Sequence, residues 1–148
     1  MTKLKSSPEP TRQEQIHYKS GYKYQLAENY RVKTPITGHT ISQGPIKLTV
    51  NGWLTIKKGY AWDGPSGPAI DTKNFMRGSL VHDALYQLMR HGRLSACAWR
   101  GKVDQLLRDI CIEDGMWRIR AAWVFWAVQN FAARAADKDQ KRETITAP

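Results

Sequence analysis

Asn74-Phe75-Met76-Arg77-Gly78-Ser79-Leu80-Val81-His82-Asp83-Ala84-Leu85-Tyr86-Gln87-Leu88 is the stretch where the chain changes its pattern. Met76, Leu80, Ala84 and Leu88, joined by Val81 and Leu85, recur three and four residues apart and lay one apolar stripe along a helix. Upstream the period is two. Tyr22, Tyr24 and Leu26 alternate with polar neighbours, as do Ile46, Leu48 and Val50, so the segment from about Tyr22 to Tyr60 reads as strands and turns. Asn51-Gly52 marks a hairpin. A two-residue turn there sets Val50 against Trp53 and turns Leu54 and Ile56 to the wrong face. A three-residue loop, Asn51 to Trp53, pairs Val50 with Leu54 and Leu48 with Ile56, and that register is the expectation.

Downstream the helical period continues. Ser95 is placed to cap a second helix carrying Trp99, Val103, Leu106, Leu107 and Ile110, and Gly115 to end it. A third helix holds Ile119, Ala122, Trp123, Trp126, Ala127 and Phe131. The order predicts an α+β domain, a small antiparallel β-sheet in the N-terminal half followed by a three-helix C-terminal half. Residues 1–15 are polar, with Lys3, Lys5, Pro8, Pro10 and Arg12, and read as a disordered basic arm. The domain is expected over 16–136, with 137–148 a flexible tail.

Composition bounds the function classes. The chain has 148 residues, 41% of them apolar and 24% charged, as in ordinary globular proteins. Its charge is one-sided, with 23 Lys and Arg against 13 acids, a formal net charge of +10. Such a field attracts polyanions, an anionic membrane surface or nucleic acid. No helix-turn-helix or zinc module is recognisable, so nucleic acid is not expected as a specific ligand. No transmembrane segment is expected, because no apolar run reaches about 18 residues. No signal peptide is expected either, since the N-terminus lacks an apolar core. Cys97 and Cys111 are too few for a disulfide framework or a cysteine zinc site and read as buried thiols, with a pairing between them left open.

Polar residues inside the apolar second half carry the chemistry. Asp63 lies in the turn Trp62-Asp63-Gly64-Pro65-Ser66-Gly67-Pro68, His82 and Asp83 are adjacent on the first helix, Tyr86 follows one turn later, and Asp104 lies midway along the second helix. Neighbours on a helix point about 100° apart, so His82 and Asp83 flank one cavity without acting on one atom. Asp83 can supply a carboxylate to a hard cation, with Asp63 and loop carbonyls completing an oxygen shell. His82 faces the next helix, where Asp104 can accept its ring N–H and leave the other nitrogen as a general base for water. Asp63 also reads as a plain turn residue, and His82 as a core histidine bonded to Asp104. An HD-type phosphohydrolase fits less well, because His17 and His39 do not lie on a preceding helix.

Asp-Gly-x-Ser in a loop, His-Asp-x-x-Tyr on a helix and an Asp on the next helix resemble phospholipase A2, chiefly its short bacterial and fungal members. The resemblance spans about Tyr60 to Phe131. It implies His82 as general base, Asp104 and Tyr86 as the groups that order it, and Asp83 with Asp63 and Gly64 as calcium ligands. Lys58 through Pro68, followed by Ser79-Leu80-Val81-His82-Asp83-Ala84-Leu85-Tyr86, is similar to the domain of unknown function 1353 family of phages and prophages. That likeness implies phage origin, a place in host cytoplasm or phage virion, and phage structural proteins as partners. The combined expectation is a phage-encoded, calcium-dependent ester hydrolase working peripherally on an anionic phospholipid surface. The alternative is a non-catalytic virion or host-interaction protein that keeps the fold as a scaffold. Trp117, Trp123 and Trp126, near Arg118 and Arg120, read first as core packing at helical spacing and second as an interfacial face.

Overall fold

The computed structural model describes residues 18–19, 24–62 and 73–131. The expectations for the arm, the tail, Tyr22, Asp63 and Gly64 lie outside the described residues. Among the described residues, seven short strands precede three helices: β1 Tyr18–Lys19, β2 Tyr24–Leu26, β3 Tyr30–Lys33, β4 Ile41–Gln43, β5 Ile46–Leu48, β6 Trp53–Ile56, β7 Ala61–Trp62, α1 Lys73–Arg90, α2 Ala96–Glu113 and α3 Arg118–Phe131. The α+β order is as read from the sequence. The strands form two antiparallel sheets rather than one, β1-β2-β7 and β3-β6-β5-β4.

The hairpin register differs from the expected one by two residues. Leu48 pairs with Leu54 and Ile46 with Ile56, so the loop is Val50-Asn51-Gly52, closed by a bond from the Thr49 amide to the Trp53 carbonyl. The shift preserves the face on which Leu48, Leu54 and Ile56 lie. It replaces Val50, 53% exposed, with buried Ile46. Docking of the turn explains the choice. The Gly52 carbonyl accepts from the Thr34 amide and hydroxyl, and Gly52 has φ +87°. A Cβ there would lie 2.5 Å from the Thr34 carbonyl oxygen, so only glycine fits against this segment.

One apolar cluster joins the sheets to the first two helices. It takes Leu26, Val32, Ile46, Leu54 and Trp62 from the strands and Leu80, Ala84, Leu88, Val103 and Ile110 from α1 and α2. The stripe read for α1 is wholly buried. Its C-terminus closes on Gly92, with the Arg93 amide reaching back to the Leu88 carbonyl, and Ser95 accepts from the Ala98 amide to start α2. At the far end Gly115, φ +95°, turns the chain while the Met116 amide bonds the Cys111 carbonyl. The five-residue link 91–95 returns α2 antiparallel to α1. Gly78 lets the pair approach closely, since a Cβ there would meet Leu107 Cδ1 at 2.8 Å.

Helix α3 is phased differently from the expectation. Its buried residues are Ala121 and Val124, packed with Phe75, Leu107, Cys111 and Met116. Ile119 is 85% exposed, and Trp123, Trp126 and Ala122 are also exposed, as is Trp117 just before the helix. Apolar residues occupy two opposite sides of α3, so periodicity alone does not choose which side is covered.

The cysteines correct the expectation of two buried thiols. Cys111 is buried, whereas Cys97 is exposed, and both are free. Fourteen residues apart on one helix, they are separated by about 21 Å and cannot pair within the chain. Burial, then the negative charge of Asp114, pushes the Cys111 thiol up to about 12. A thiol reagent at pH 8 is expected to titrate one cysteine in the folded protein and the second only on unfolding; equal labelling rates would contradict this. The folded state holds the Cys111 proton more tightly than the unfolded chain does. The stability linked to it is complete below the ordinary value of 9.0 and is lost as pH rises towards about 12.

Candidate active site

His82 and Tyr86 lie one turn apart on the side of α1 that meets α2, their rings stacked with centroids 4.0 Å apart. Opposite them Asp104 projects from α2 and is fully buried. His82 Nε2 lies 2.8 Å from Asp104 Oδ1, and the Tyr86 hydroxyl donates to the same oxygen. Two donors from one helix thus converge on one acceptor of the next. Because Oδ1 accepts, the network assigns the proton to Nε2 and leaves Nδ1 with its lone pair. Nδ1 has no hydrogen-bond partner among the described residues, and the His82 side chain keeps 12% of its exposure. The ring is held but not sealed.

Burial first, then the hydrogen bond to Asp104 and the charge of that residue, raises the Tyr86 phenol far above its ordinary value, against a smaller opposing pull from Arg100. Tyr86 is therefore a permanent proton donor to Asp104. Among the described residues, Asp104 Oδ2 has no partner at all. Packing alone does not reward a buried carboxylate with one oxygen unbonded, since an apolar residue of similar volume is often as stable or more so.

Asp83 points about 100° around α1 from His82, as the step between neighbours requires. Tyr60 lies beside it, its hydroxyl 3.5 Å from Asp83 Oδ2 and donating to Gln87 Oε1 at 3.1 Å. Two residues on, the Trp62 indole N–H donates to Ser79 Oγ at 3.1 Å, and the Ser79 hydroxyl donates to the Met76 carbonyl at 2.9 Å. The chain from Tyr60 to Trp62 therefore runs along the Ser79, Asp83 and Gln87 face of α1, and Asp63 is the next residue. Tyr60, Trp62, Ser79 and Gln87 had no role assigned from the sequence. The available signal was the polar row Ser79, Asp83 and Gln87, four residues apart along the helix.

No three His, Cys, Asp or Glu side chains gather as a metal-binding group among the described residues. Asp83 is the described member of the expected calcium shell, and Asp63 and Gly64 lie outside. Arg77 engages the end of α2. Its guanidinium donates to Asp114 at 3.0 Å and Glu113 at 2.7 Å, and lies 3.4 Å from the Tyr30 hydroxyl. Burial disfavours its charge, but the bonds to Asp114 and Glu113 outweigh that and raise its pKa.

No described helix is long and apolar enough to cross a membrane. Comparison with family models, curated proteins and solved structures found no match.

Proposed function

We infer that the chain is a phage-encoded, phospholipase A2-like ester hydrolase that uses calcium and a His82-activated water on phospholipid. The observation that carries this reading is the convergence of His82 Nε2 and the Tyr86 hydroxyl on one buried oxygen of Asp104. That arrangement fixes the histidine tautomer and turns Nδ1 into the base. In the reaction, Nδ1 takes a proton as the water oxygen bonds to the ester carbonyl carbon. The C–O bond to the leaving alkoxide then breaks and Nδ1 returns the proton to it, giving a fatty acid and a lysophospholipid. Asp104 stabilises the imidazolium formed in between, and Tyr86 keeps Asp104 in place.

The donor chemistry suits an oxygen-ligated cation. Asp83 stands on the α1 face along which Tyr60 and Trp62 lead into Asp63 and Gly64. Asp83, Asp63 and the Gly64 carbonyl would hold calcium, which would supply positive charge to polarise a carbonyl. A lipid substrate is supported by α3, where Ile119, Trp123 and Trp126 are exposed, with Trp117 exposed just before it. The helix has Arg118 and Arg120 and no acidic residue. Indoles at headgroup depth with arginines on phosphates are the chemistry of a peripheral membrane face. The same exposed aromatics favour, as a second reading, a non-catalytic virion or host-interaction protein that docks another protein there.

Fatty-acid release from phosphatidylglycerol vesicles separates the two. Wild type is expected to release fatty acid with calcium and not with chelator, and His82→Gln to lower the rate by about 10²–10⁴. Absence of release from folded wild type, or release that survives His82→Gln, would leave the scaffold reading in possession.

A further inference from the structure

The four-stranded sheet has a second face, turned away from the core. Residues on alternate positions of its strands form it: Arg31 and Lys33 of β3, Trp53 and Thr55 of β6, Lys47 of β5 and Ser42 of β4. Pairing sets Arg31, Thr55, Lys47 and Ser42 in one row across the sheet, with Lys33 and Trp53 in the row beside it. Adjacent strands are about 4.8 Å apart, so the cations spread over roughly 10 Å of flat surface. The Arg31 guanidinium lies over the Trp53 ring, 4.8 Å from its centroid, and Lys33 Nζ lies 5.3 Å from it.

The charge of this segment is one-sided. Between Glu28 and Asp63 the chain has no acidic residue, while Arg31, Lys33, Lys47, Lys57 and Lys58 all fall in that span. A sheet whose own segment supplies cations and no carboxylate complements a polyanion. Its surface is poorly suited to a bilayer, because Trp53 is half-buried beneath cations and its neighbours on this face are Thr55, Ser42 and lysines. It is also four strands wide, unlike the helix or two-stranded ribbon that enters a duplex groove. A planar guanidinium on an indole is a platform on which an unpaired base can stack, with lysines and hydroxyls on either side for the phosphates.

We propose that this outer face, with Arg31, Lys33, Lys47 and Trp53 at its centre, binds single-stranded nucleic acid without sequence preference. The site is independent of His82 and of the hydrolase reading, and His82→Gln leaves it intact.

The test is fluorescence anisotropy with a labelled oligothymidylate of about 20 nucleotides, longer than single-strand binding folds usually cover. Binding is expected to weaken as salt rises. Lys33→Glu/Lys47→Glu is expected to lower affinity about tenfold or more and to make the salt slope shallower by about 1.4, two phosphate contacts at about 0.7 each. Arg93→Glu/Lys102→Glu, the same charge change on exposed residues away from this face, is expected to stay within about threefold of wild type. Thermal unfolding midpoints verify that each variant is folded, and Lys33→Gln/Lys47→Gln replaces the first pair if its midpoint falls.

Four results would overturn the proposal. The oligonucleotide fails to bind; the control pair loses as much affinity as the sheet pair; a duplex of equal length binds as tightly; or the sheet pair loses binding to anionic vesicles while keeping the oligonucleotide.

Discussion

Asp104→Asn is expected to keep the His82 proton on Nε2 and to cut ester hydrolysis by about 10²–10³, because the charge that stabilises the imidazolium is gone. The carboxylate oxygen that accepts from both His82 and Tyr86 becomes part of an amide, whose N–H₂ donates. Both donors meet one oxygen, so with the amide oxygen in that place His82 Nε2 and the Tyr86 hydroxyl still donate to it, and the amide nitrogen takes the place of the unbonded Oδ2. The tautomer is kept, and what is lost is the negative charge beside the imidazolium. Side-chain volume is unchanged, so the fold survives and the loss falls on kcat rather than KM. Nitrogen chemical shifts of the His82 ring read the tautomer directly, with or without substrate. A switched tautomer would show that the amide nitrogen rather than its oxygen meets the ring. Unaltered hydrolysis would remove the His82–Asp104 pair from the chemistry.

The largest loss of stability is expected from Arg77→Met. Arg77 is 2% exposed and joins the C-terminal end of α2 to α1 and to Tyr30 of β3. Glu113 and Asp114 place negative charge where the helix dipole already disfavours it, and Arg77 offsets both. Removing it leaves two acids facing an apolar side chain. Breaking a buried pair costs about 3–5 kcal/mol, and the lower end applies because Glu113 keeps 38% of its exposure. For a chain of this size about 3 kcal/mol lowers the unfolding midpoint by roughly 10 °C. Urea denaturation measures it. Glu113→Gln is expected to cost much less, because Asp114 still holds the guanidinium. Equal losses from both variants would assign the stability to Glu113 rather than to the buried charge.

Much of this arrangement was legible from residue order, and the departures have specific causes. The α1 stripe was readable because Met76, Leu80, Ala84 and Leu88 are backed by few competing apolar residues. Ser95 and Gly115 marked the ends of α2 through backbone needs that neighbours do not override. The hairpin slipped by two because Val50 and Ile46 are equivalent in alternation, and Thr34, which receives the turn, is distant in sequence. Helix α3 offered two apolar sides, and which one is covered depends on where Phe75 and Leu107 stand. Asp104 could be paired with His82 from the sequence because a buried acid must meet a donor on the facing helix. Tyr60 beside Asp83 and Trp62 on Ser79 could not be read so, since they join a strand end to a helix through side-chain tips.

Gly78 sets a length as well as a contact. The missing side chain lets Leu107 lie against the α1 backbone, and His82 and Asp104 bridge the same two helices about one turn away. The 2.8 Å between ring and carboxylate is therefore a spacing fixed elsewhere, as a hinge pin fixes the gap between two blades. A larger residue at position 78 would prise the blades apart without touching either reactive group. The site's most exacting dimension thus depends on a residue that has no chemistry of its own.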